Sequence, residues 1–442
     1  MRCICNIHYK FKYDASTLKS TINPYLENYR YHVYKNFEDE FIQYFAEIIK
    51  KKHHFDNNNK LVEKIRKAFA RWIMLQIALG CTNVDPIIPS DLNKNSFDQL
   101  KEDIVNFIPN DIMKMNNVDK LIDELDMNSL CKKYNDAVEK FITDNDVKSF
   151  DHVDNVIVTF DDKINEYTMV LKDNQKTFDY KKHKLIKISK DIYNRIKILF
   201  ISNRSFNDNL VNENHFHYLL YCLMMRYIVI SDQGIRQGAK TQKFFGALEK
   251  KFHINFETFA ASFAASSNYI CSLFYDIEKY FGSYGNFFKL KPIRGFYQVN
   301  PPLDSLITTM ACERVLELLN ETKQNIKLGF ILFIPTWDFE TVKAKGYVGK
   351  LEKYNDFPIY YKLKNSKYML LNYDIIGKKI NYIQYQSVLQ GDGSYNTTTD
   401  MGATLYDFPH VMVLGTQRFG RSFNKNKMIK LLDSFDMSKK KM

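Results

Sequence analysis

The sequence predicts an α/β protein: a mostly helical segment followed by a doubly wound sheet. Three observations predict it. Between residues 241 and 425, short β-prone runs alternate with helical stripes, the pattern of strands packed between helices. Before residue 150, apolar residues recur at helical spacing instead. Finally, Gly295-Phe-Tyr-Gln-Val-Asn-Pro-Pro-Leu303 reads as a strand, a sharp turn and the start of a helix. A polar amide stands at that strand's C-terminal end, where open α/β sheets bind ligands.

The 442 residues suffice for two or three domains. We divide them into a helical N-terminal domain (1–150), a β-hairpin with helices that is a candidate RNA-binding part (151–240), the α/β core (241–430) and a basic tail (431–442). The first segment carries helical stripes over Phe37–Lys51 and Leu61–Leu79, with Gly80 placed as a C-cap. Pro86, Pro89 and Ser90 mark a loop. Shorter helices are expected over Phe97–Phe107, Val118–Leu125 and Asn128–Ile142.

The second segment opens with Val156–Phe160 and Tyr167–Leu171, a hairpin turning at Asp161-Asp162. The Lys-rich stretch Thr177–Leu199 has aromatics interleaved, as a nucleic-acid groove would. It equally reads as an amphipathic helix with Ile188, Ile192 and Ile196 inward. Asn214–Ser231 is an apolar helix, and Gly234 and Gly238 read as a flexible joint.

In the core, Thr241–Lys251 is a helix and His253–Ala260 a strand. Ala261–Ser267 is a loop of small residues that lets backbone N–H groups approach a ligand. Asn268–Tyr280 reads as a helix and Phe281–Gly285 as a second glycine-containing loop. Then come the motif strand Phe296–Val299, the helix Leu303–Leu319 and the buried strand Leu328–Ile334. Tyr368–Asn372, Ile380–Tyr385 and Val411–Leu414 complete the expected sheet.

The charge of +12 and pI near 9.0 suit a polyanionic partner. The seven scattered cysteines form no disulfide framework, which fits a reducing, intracellular compartment. Cys3 and Cys5 near His8 lack a second pair, so no metal is expected. The apolar run Phe216–Ile230 is interrupted by Arg226 and falls short of the roughly 20 residues of a membrane span. No membrane partner is expected, and no protein partner can be named.

Asn300-Pro301-Pro302 has a specific chemical use. The exocyclic amine of adenine is a weak nucleophile carrying two N–H donors. The Asn300 amide oxygen and the Pro301 carbonyl can accept both, while the prolines contribute no competing N–H. A turn capped by Asn is the plain structural alternative.

Several further motifs stand in one order around it: Arg226-Tyr227; Phe252, Glu257, Phe259 and Ala260; Cys271-Ser272 and Phe274; Tyr280-Phe-Gly-Ser with Gly285; Gly295-Phe296; and Phe330–Pro335 with Trp337. With these, Tyr218–Trp337 resembles the phosphorylated-CTD-interacting factor family, the cap-specific adenosine N6-methyltransferases. The resemblance implies a Rossmann-like S-adenosylmethionine-dependent methyltransferase core preceded by a mostly helical domain. It implies S-adenosyl-L-methionine as cofactor and the capped mRNA 5′ end as RNA partner. It places catalysis at Asn300, Pro301, Pro302 and Leu303. Cofactor binding falls to Phe259, Ala260, Ala261, Ser262, Ser266, Phe281, Gly282, Ser283, Gly285 and Asn300. Lys289, Lys291, Arg294, Pro335 and Trp337 become the substrate-facing candidates.

The chain departs from the family at Leu303, where an aromatic ring stacks on adenine, and in the loop Phe259–Ala264, which lacks the family's Pro and Asn. The motifs show no WW domain, so a cytoplasmic rather than nuclear setting is expected. Two alternatives stay open: a catalytically degenerate scaffold binding RNA or a partner, and an adenine-N6 methyltransferase acting on DNA or uncapped RNA.

A lost aromatic stack costs about 1–3 kcal/mol per base, and leucine recovers part of that as apolar contact. Leu303→Phe is therefore expected to keep turnover on adenosine-initiated capped RNA, with the acceptor KM unchanged or modestly lower. Steady-state kinetics check this. A tenfold higher KM would contradict it.

Overall fold

In the computed structural model the described residues are 2–6, 8–13, 20–52, 58–92, 100–101, 104, 125–172, 185–203, 212–231, 237–240, 242–302, 305–334, 358–374, 382–389, 395–400 and 410–435. The chain opens with two strands, β1 (Arg2–Cys5) and β2 (Lys10–Tyr13). Three helices follow: α1 (Pro24–Lys52), α2 (Asn58–Leu79) and α3 (Met127–Asp144). Then come β3 (Val156–Asp161), β4 (Glu166–Leu171), β5 (Ile186–Ser189), α4 (Lys190–Ser202), α5 (Glu213–Ser231) and β6 (Gln237–Lys240). The next stretch holds α6 (Gln242–Phe252), β7 (Phe256–Glu257), β8 (Tyr269–Ile270), α7 (Tyr275–Glu278) and β9 (Lys291–Val299). After it stand α8 (Ser305–Glu321), β10 (Leu328–Ile334), α9 (Pro358–Lys364) and β11 (Met369–Asp374). The last elements are β12 (Tyr382–Leu389), β13 (Tyr395–Asp400), β14 (His410–Gly415), α10 (Gln417–Ser422) and α11 (Lys425–Ser434).

The fold is mixed α/β, and its main sheet is mixed rather than uniformly parallel. It runs β1-β2-β9-β10-β14-β11, with β7 pairing β9 and β8. β9 is parallel to β10 and β7, while β14 is antiparallel to both its neighbours. Helices cover both faces. Tyr297, Val299, Phe330 and Leu332 pack with Ala311, Cys312 and Val315 of α8. On the other face Phe296, Ile331, Phe333 and Val411 pack with Phe244 of α6 and Met428, Leu431 and Leu432 of α11. This double cover explains why Leu328–Ile334 is apolar without alternation and buried at every position.

Several expectations change. Residues 1–150 are not purely helical: β1 and β2 join the main sheet through β9. Their signal was four residues of alternating burial, too short to stand out. The expected strand His253–Ala260 shrinks to β7, and Asn268–Tyr280 is not one helix but β8, the single turn α7 and a 3-10 turn. In this region carboxylates accept many of the backbone N–H groups that a strand ladder or helix would use. Of the run expected at Ile380–Tyr385, the described part from Tyr382 belongs to a second sheet, β3-β4-β5-β13-β12-β6. Gly238, expected in a joint, lies in β6, which pairs with β12. The proposed basic tail begins too early, because Leu431 and Leu432 are core residues of α11.

The hairpin β3–β4 forms as expected. Ile188, Ile192 and Ile196 are all buried, but they do not share one amphipathic helix: Ile188 lies in β5, and only Ile192 and Ile196 are on α4. Gly80 ends α2 with φ +78°. The apolar residues of α1 to α5 and of β4 and β5 form one continuous core, and Ala261, Phe263, Phe274 and Phe281 reach into it. The loops that follow β7 and β8 are thus anchored in the helical layer.

Charge anchors them as well. Arg226 of α5 is 0% exposed. Its Nε and Nη2 donate to Glu27 Oε1 of α1 (3.0 and 2.9 Å), and its Nη1 donates to Asp276 of α7. Glu27 Oε1 also accepts from Arg30 Nη1 (2.8 Å), and Arg30 Nε donates to Asp85 (2.7 Å). Burial alone would raise the Asp276 carboxyl, but the Arg226 charge and hydrogen bonds bring it below its ordinary value.

Removing one member of a buried ion pair typically costs 3–5 kcal/mol, because the partner is left buried and uncompensated. Arg226→Met is expected to destabilise by roughly that amount in urea unfolding. A loss below about 1 kcal/mol would show that the network relaxes without it.

Candidate active site

β9 delivers Asn300 to the edge of the core. The strand is buried from Gly295 to Val299. Gly295 is required there: its φ is +137°, and a Cβ would stand 2.6 Å from the Tyr9 ring. Pro301 and Pro302 end the ladder because neither offers an N–H. Val299 of β9 pairs with Leu332 of β10 in parallel, so β10 ends at Ile334 on the same side of the sheet as Asn300.

β7 ends beside the same point. Glu257 stands opposite Gln298, and the Thr258 N–H donates to the Gln298 carbonyl (3.0 Å). The loop after β7 is fastened at two places by carboxylates. Glu257 Oε1 accepts the N–H groups of Ser266 and Ser267, both at 2.7 Å. Glu278 Oε1 accepts the N–H and the hydroxyl of Ser262 (2.8 and 3.1 Å), while Oε2 accepts the Phe274 N–H (2.9 Å) and the Tyr227 hydroxyl (3.0 Å). Burial raises the Glu278 carboxyl above its ordinary value, against these donors.

The predicted cofactor residues divide accordingly. Ser262 has its donors engaged by Glu278. Ala261 is buried in the helical core. Phe259 is half-buried and packs on Phe287 and Phe288, with Ala260 half-buried beside it. Phe281, Gly282, Ser283 and Gly285 fold the second loop onto itself. Ser283 Oγ lies 2.6 Å from Ser272 Oγ and accepts the Gly285 N–H, and Gly282 and Gly285 adopt positive φ. These residues shape the site by closing its loops.

Four polar side-chain atoms near the strand ends are buried without a partner among the described residues: Thr258 Oγ1, Ser266 Oγ, Gln298 Oε1 and Asn300 Oδ1. Two of the four residues, Ser266 and Asn300, were expected from the sequence. Thr258 and Gln298 were missed, as was the fastening role of Glu257. Gln298 had one usable signal: it lies two residues before Asn300, hence on the same face of the strand.

Two of the basic candidates, Lys291 and Arg294, lie elsewhere. Lys291 begins β9, about 30 Å from Asn300 at roughly 3.3 Å per residue, and Arg294 is about 20 Å away. Arg294 donates to the Asn6 carbonyl. Lys289 sits over the C-terminal end of α2, next to Gly80, a favourable place for a cation. Lys291 and Arg294 do not flank Asn300, because a strand carries its two ends to opposite sides of a sheet. Leu303, Pro335 and Trp337 lie outside the described residues. Among the described residues no His, Cys, Asp and Glu group could hold a metal ion, and no helix is long and apolar enough to cross a membrane.

Residues 195–369 match the family model described as phosphorylated CTD interacting factor 1 WW domain. That description names a WW domain, which the sequence motifs do not show. The matched residues include α5, β7 to β10 and the Asn300 turn. The human and the mouse mRNA (2'-O-methyladenosine-N(6)-)-methyltransferase are each 29% identical to the chain over 167 residues. The match covers 35% of this chain and 22% of each relative, so the chain spans about a fifth of the length of these curated relatives.

Burial pushes the Glu257 carboxyl up to about 7, despite the donors around it. Between about pH 4.5 and 7 the unfolded chain therefore releases this proton first, and stability falls as pH rises. The full effect is roughly 3 kcal/mol. Glu257→Gln is expected to flatten the decline in urea stability between pH 5 and 7.5. Parallel curves for the two proteins would contradict the assignment.

Proposed function

With residues 195–369 related to the phosphorylated CTD interacting factor family, we propose that the protein is an S-adenosylmethionine-dependent methyltransferase. Its acceptor is adenine N6, most specifically that of the first transcribed adenosine of capped mRNA. The observation that carries this reading is the Asn300 amide oxygen. It is buried without a partner among the described residues, at the C-terminal end of the strand that runs parallel to β10, with a proline carbonyl next in the chain. On this reading the main sheet with its covering helices is a Rossmann-like methyltransferase core, and the helical layer is its N-terminal support.

The site fits the cofactor in its donor set. S-adenosylmethionine has an adenine, two ribose hydroxyls, an ammonium and a carboxylate. Thr258, Ser266, Gln298 and Asn300 leave hydroxyls and amide oxygens unsatisfied between β7 and β9. Bound there, the cofactor supplies an activated methyl group and needs no metal to do so.

The chain's own residues prepare the acceptor. Asn300 Oδ1 and the Pro301 carbonyl accept the two N–H protons of the adenine amine. Accepting both favours a pyramidal nitrogen and frees its lone pair from the ring. The prolines hold this turn stiffly, so little reorganisation is needed at the moment of reaction. The proton shed by the methylated nitrogen leaves to water. Guanine presents a carbonyl at the corresponding position and cannot satisfy two acceptors. The site therefore selects adenine.

Asn300→Ala is expected to lower methyl transfer at least about 100-fold, with S-adenosylhomocysteine affinity within about threefold of wild type. The assay uses capped transcripts starting in adenosine or guanosine, an uncapped transcript and a DNA of the same sequence. Transfer confined to the capped adenosine transcript supports the reading. Equal transfer to uncapped RNA or DNA moves the substrate, and wild-type turnover in the mutant removes Asn300 from the site.

A further inference from the structure

The orphaned side chains identify two residues that neither the motifs nor the family match singles out. Gln298 is 2% exposed and Thr258 1%. Gln298 Oε1 and Thr258 Oγ1 have no hydrogen-bond partner among the described residues. A folded protein satisfies nearly all its buried polar groups, so such atoms need a reason. Here they occur as neighbours: the Thr258 N–H donates to the Gln298 carbonyl, and Gln298 faces Glu257 across the β7–β9 pair.

Nothing in the fold compels either residue to be polar. The same face of β9 carries Phe296, which packs in an apolar cluster with Ile331 of β10, the residue paired with Gln298. An apolar side chain at 298 would extend that cluster. Opposite it, Glu257 Oε1 is engaged by the N–H groups of Ser266 and Ser267, and no hydrogen bond joins Glu257 to Gln298 Oε1. No described residue supplies that partner, and it must be an N–H or O–H donor.

We propose that Gln298 and Thr258 are cofactor-positioning residues at the C-terminal ends of β7 and β9. There Gln298 Oε1 accepts from a donor of the bound cofactor, and the Thr258 hydroxyl makes a second hydrogen bond. This assignment rests on the methyltransferase reading. The donor is either the ammonium of the amino-acid part or a group of the adenosine part, a ribose hydroxyl or the base amine. Asn300, two residues on and on the same face, meets the acceptor base. One strand face thus addresses both ligands in succession, Gln298 the donor of the methyl group and Asn300 its recipient.

The inference makes an unusual pairing of effects. Replacing an orphaned buried amide by an apolar group of similar volume removes a desolvation cost from the empty protein. It also removes a hydrogen bond from the complex. Gln298→Met and Thr258→Val, measured in the full chain without ligand, are expected to melt at the wild-type temperature or a few degrees above it. Each is expected to bind S-adenosylhomocysteine roughly 5- to 50-fold more weakly by calorimetry.

5′-Methylthioadenosine, which has the ribose but no amino-acid part, separates the two donors. Weakening of both ligands assigns the adenosine part, and weakening of S-adenosylhomocysteine alone assigns the ammonium. Unchanged affinity in both mutants, with a wild type that binds, overturns this inference and leaves the methyltransferase reading standing. Lower melting temperatures with unchanged affinity would make both residues structural and overturn it likewise. A wild type that binds neither ligand overturns the inference together with the reading it rests on.

Discussion

The structure depends on a row of charges taken out of water together. Asp85, Arg30, Glu27, Arg226 and Asp276 alternate in sign through a region where each side chain is at most 7% exposed. Isolated, any of these charges would be prohibitive in such surroundings. Here each arginine stands between two carboxylates, and their donors have fixed acceptors. The row starts in the loop after α2, crosses α1 and α5, and ends on α7, the turn that follows β8. The next residue in the helix after Arg226 continues the same work, since the Tyr227 hydroxyl donates to Glu278, which holds Ser262 of the loop after β7. The helical layer is thereby tied to the loops at the ends of the strands.

That arrangement explains how a site can exist where regular structure stops. β7 and β8 are two residues each, too short to orient long loops by ladder hydrogen bonds alone. Glu257 and Glu278 take over that task by accepting backbone N–H groups directly. Both are buried, and burial holds both carboxyls above their ordinary range. The Asn300 turn is held differently, by two prolines and by a strand packed on both faces. Rigid strand ends and carboxylate-fastened loops together leave a small set of polar atoms unsatisfied between them. On the proposed function, those atoms wait for the cofactor and the base.

Much of this was legible in the sequence, and the failures have physical causes. Leu328–Ile334 was readable to the residue because a strand covered on both faces needs no polar alternation. α2 was readable through its apolar stripe and its terminal glycine. The Asn300 turn was readable because proline cannot continue a ladder. β1 and β2 were not, since four alternating residues carry little information. The strand at residues 382–389 was legible, but its sheet was not, because pairing partners distant in the chain leave no local mark. Arg226 and Tyr227 were noticed only as part of a family signature, and in the sequence Arg226 looked like an interruption of an apolar helix. Its reason lies in Glu27 and Asp276, which are 199 and 50 residues away. Gln298 was passed over because a glutamine within a strand is unremarkable until its burial and lack of a partner are known. The distance of Lys291 and Arg294 from Asn300 was misjudged because proximity in sequence was read as proximity in space.

The central claim is that the helical layer holds the loops of the site through buried acidic groups. Amide-resolved hydrogen exchange tests it most directly, in the wild type and in Tyr227→Phe. The substitution removes one hydroxyl and one donor to Glu278. The account predicts faster exchange at the amides of Ser262 and Phe274, which donate to Glu278, with Ser266 and Ser267, which donate to Glu257, unchanged. Unaltered protection at Ser262 would contradict it, since the loop would then be held without the helical layer.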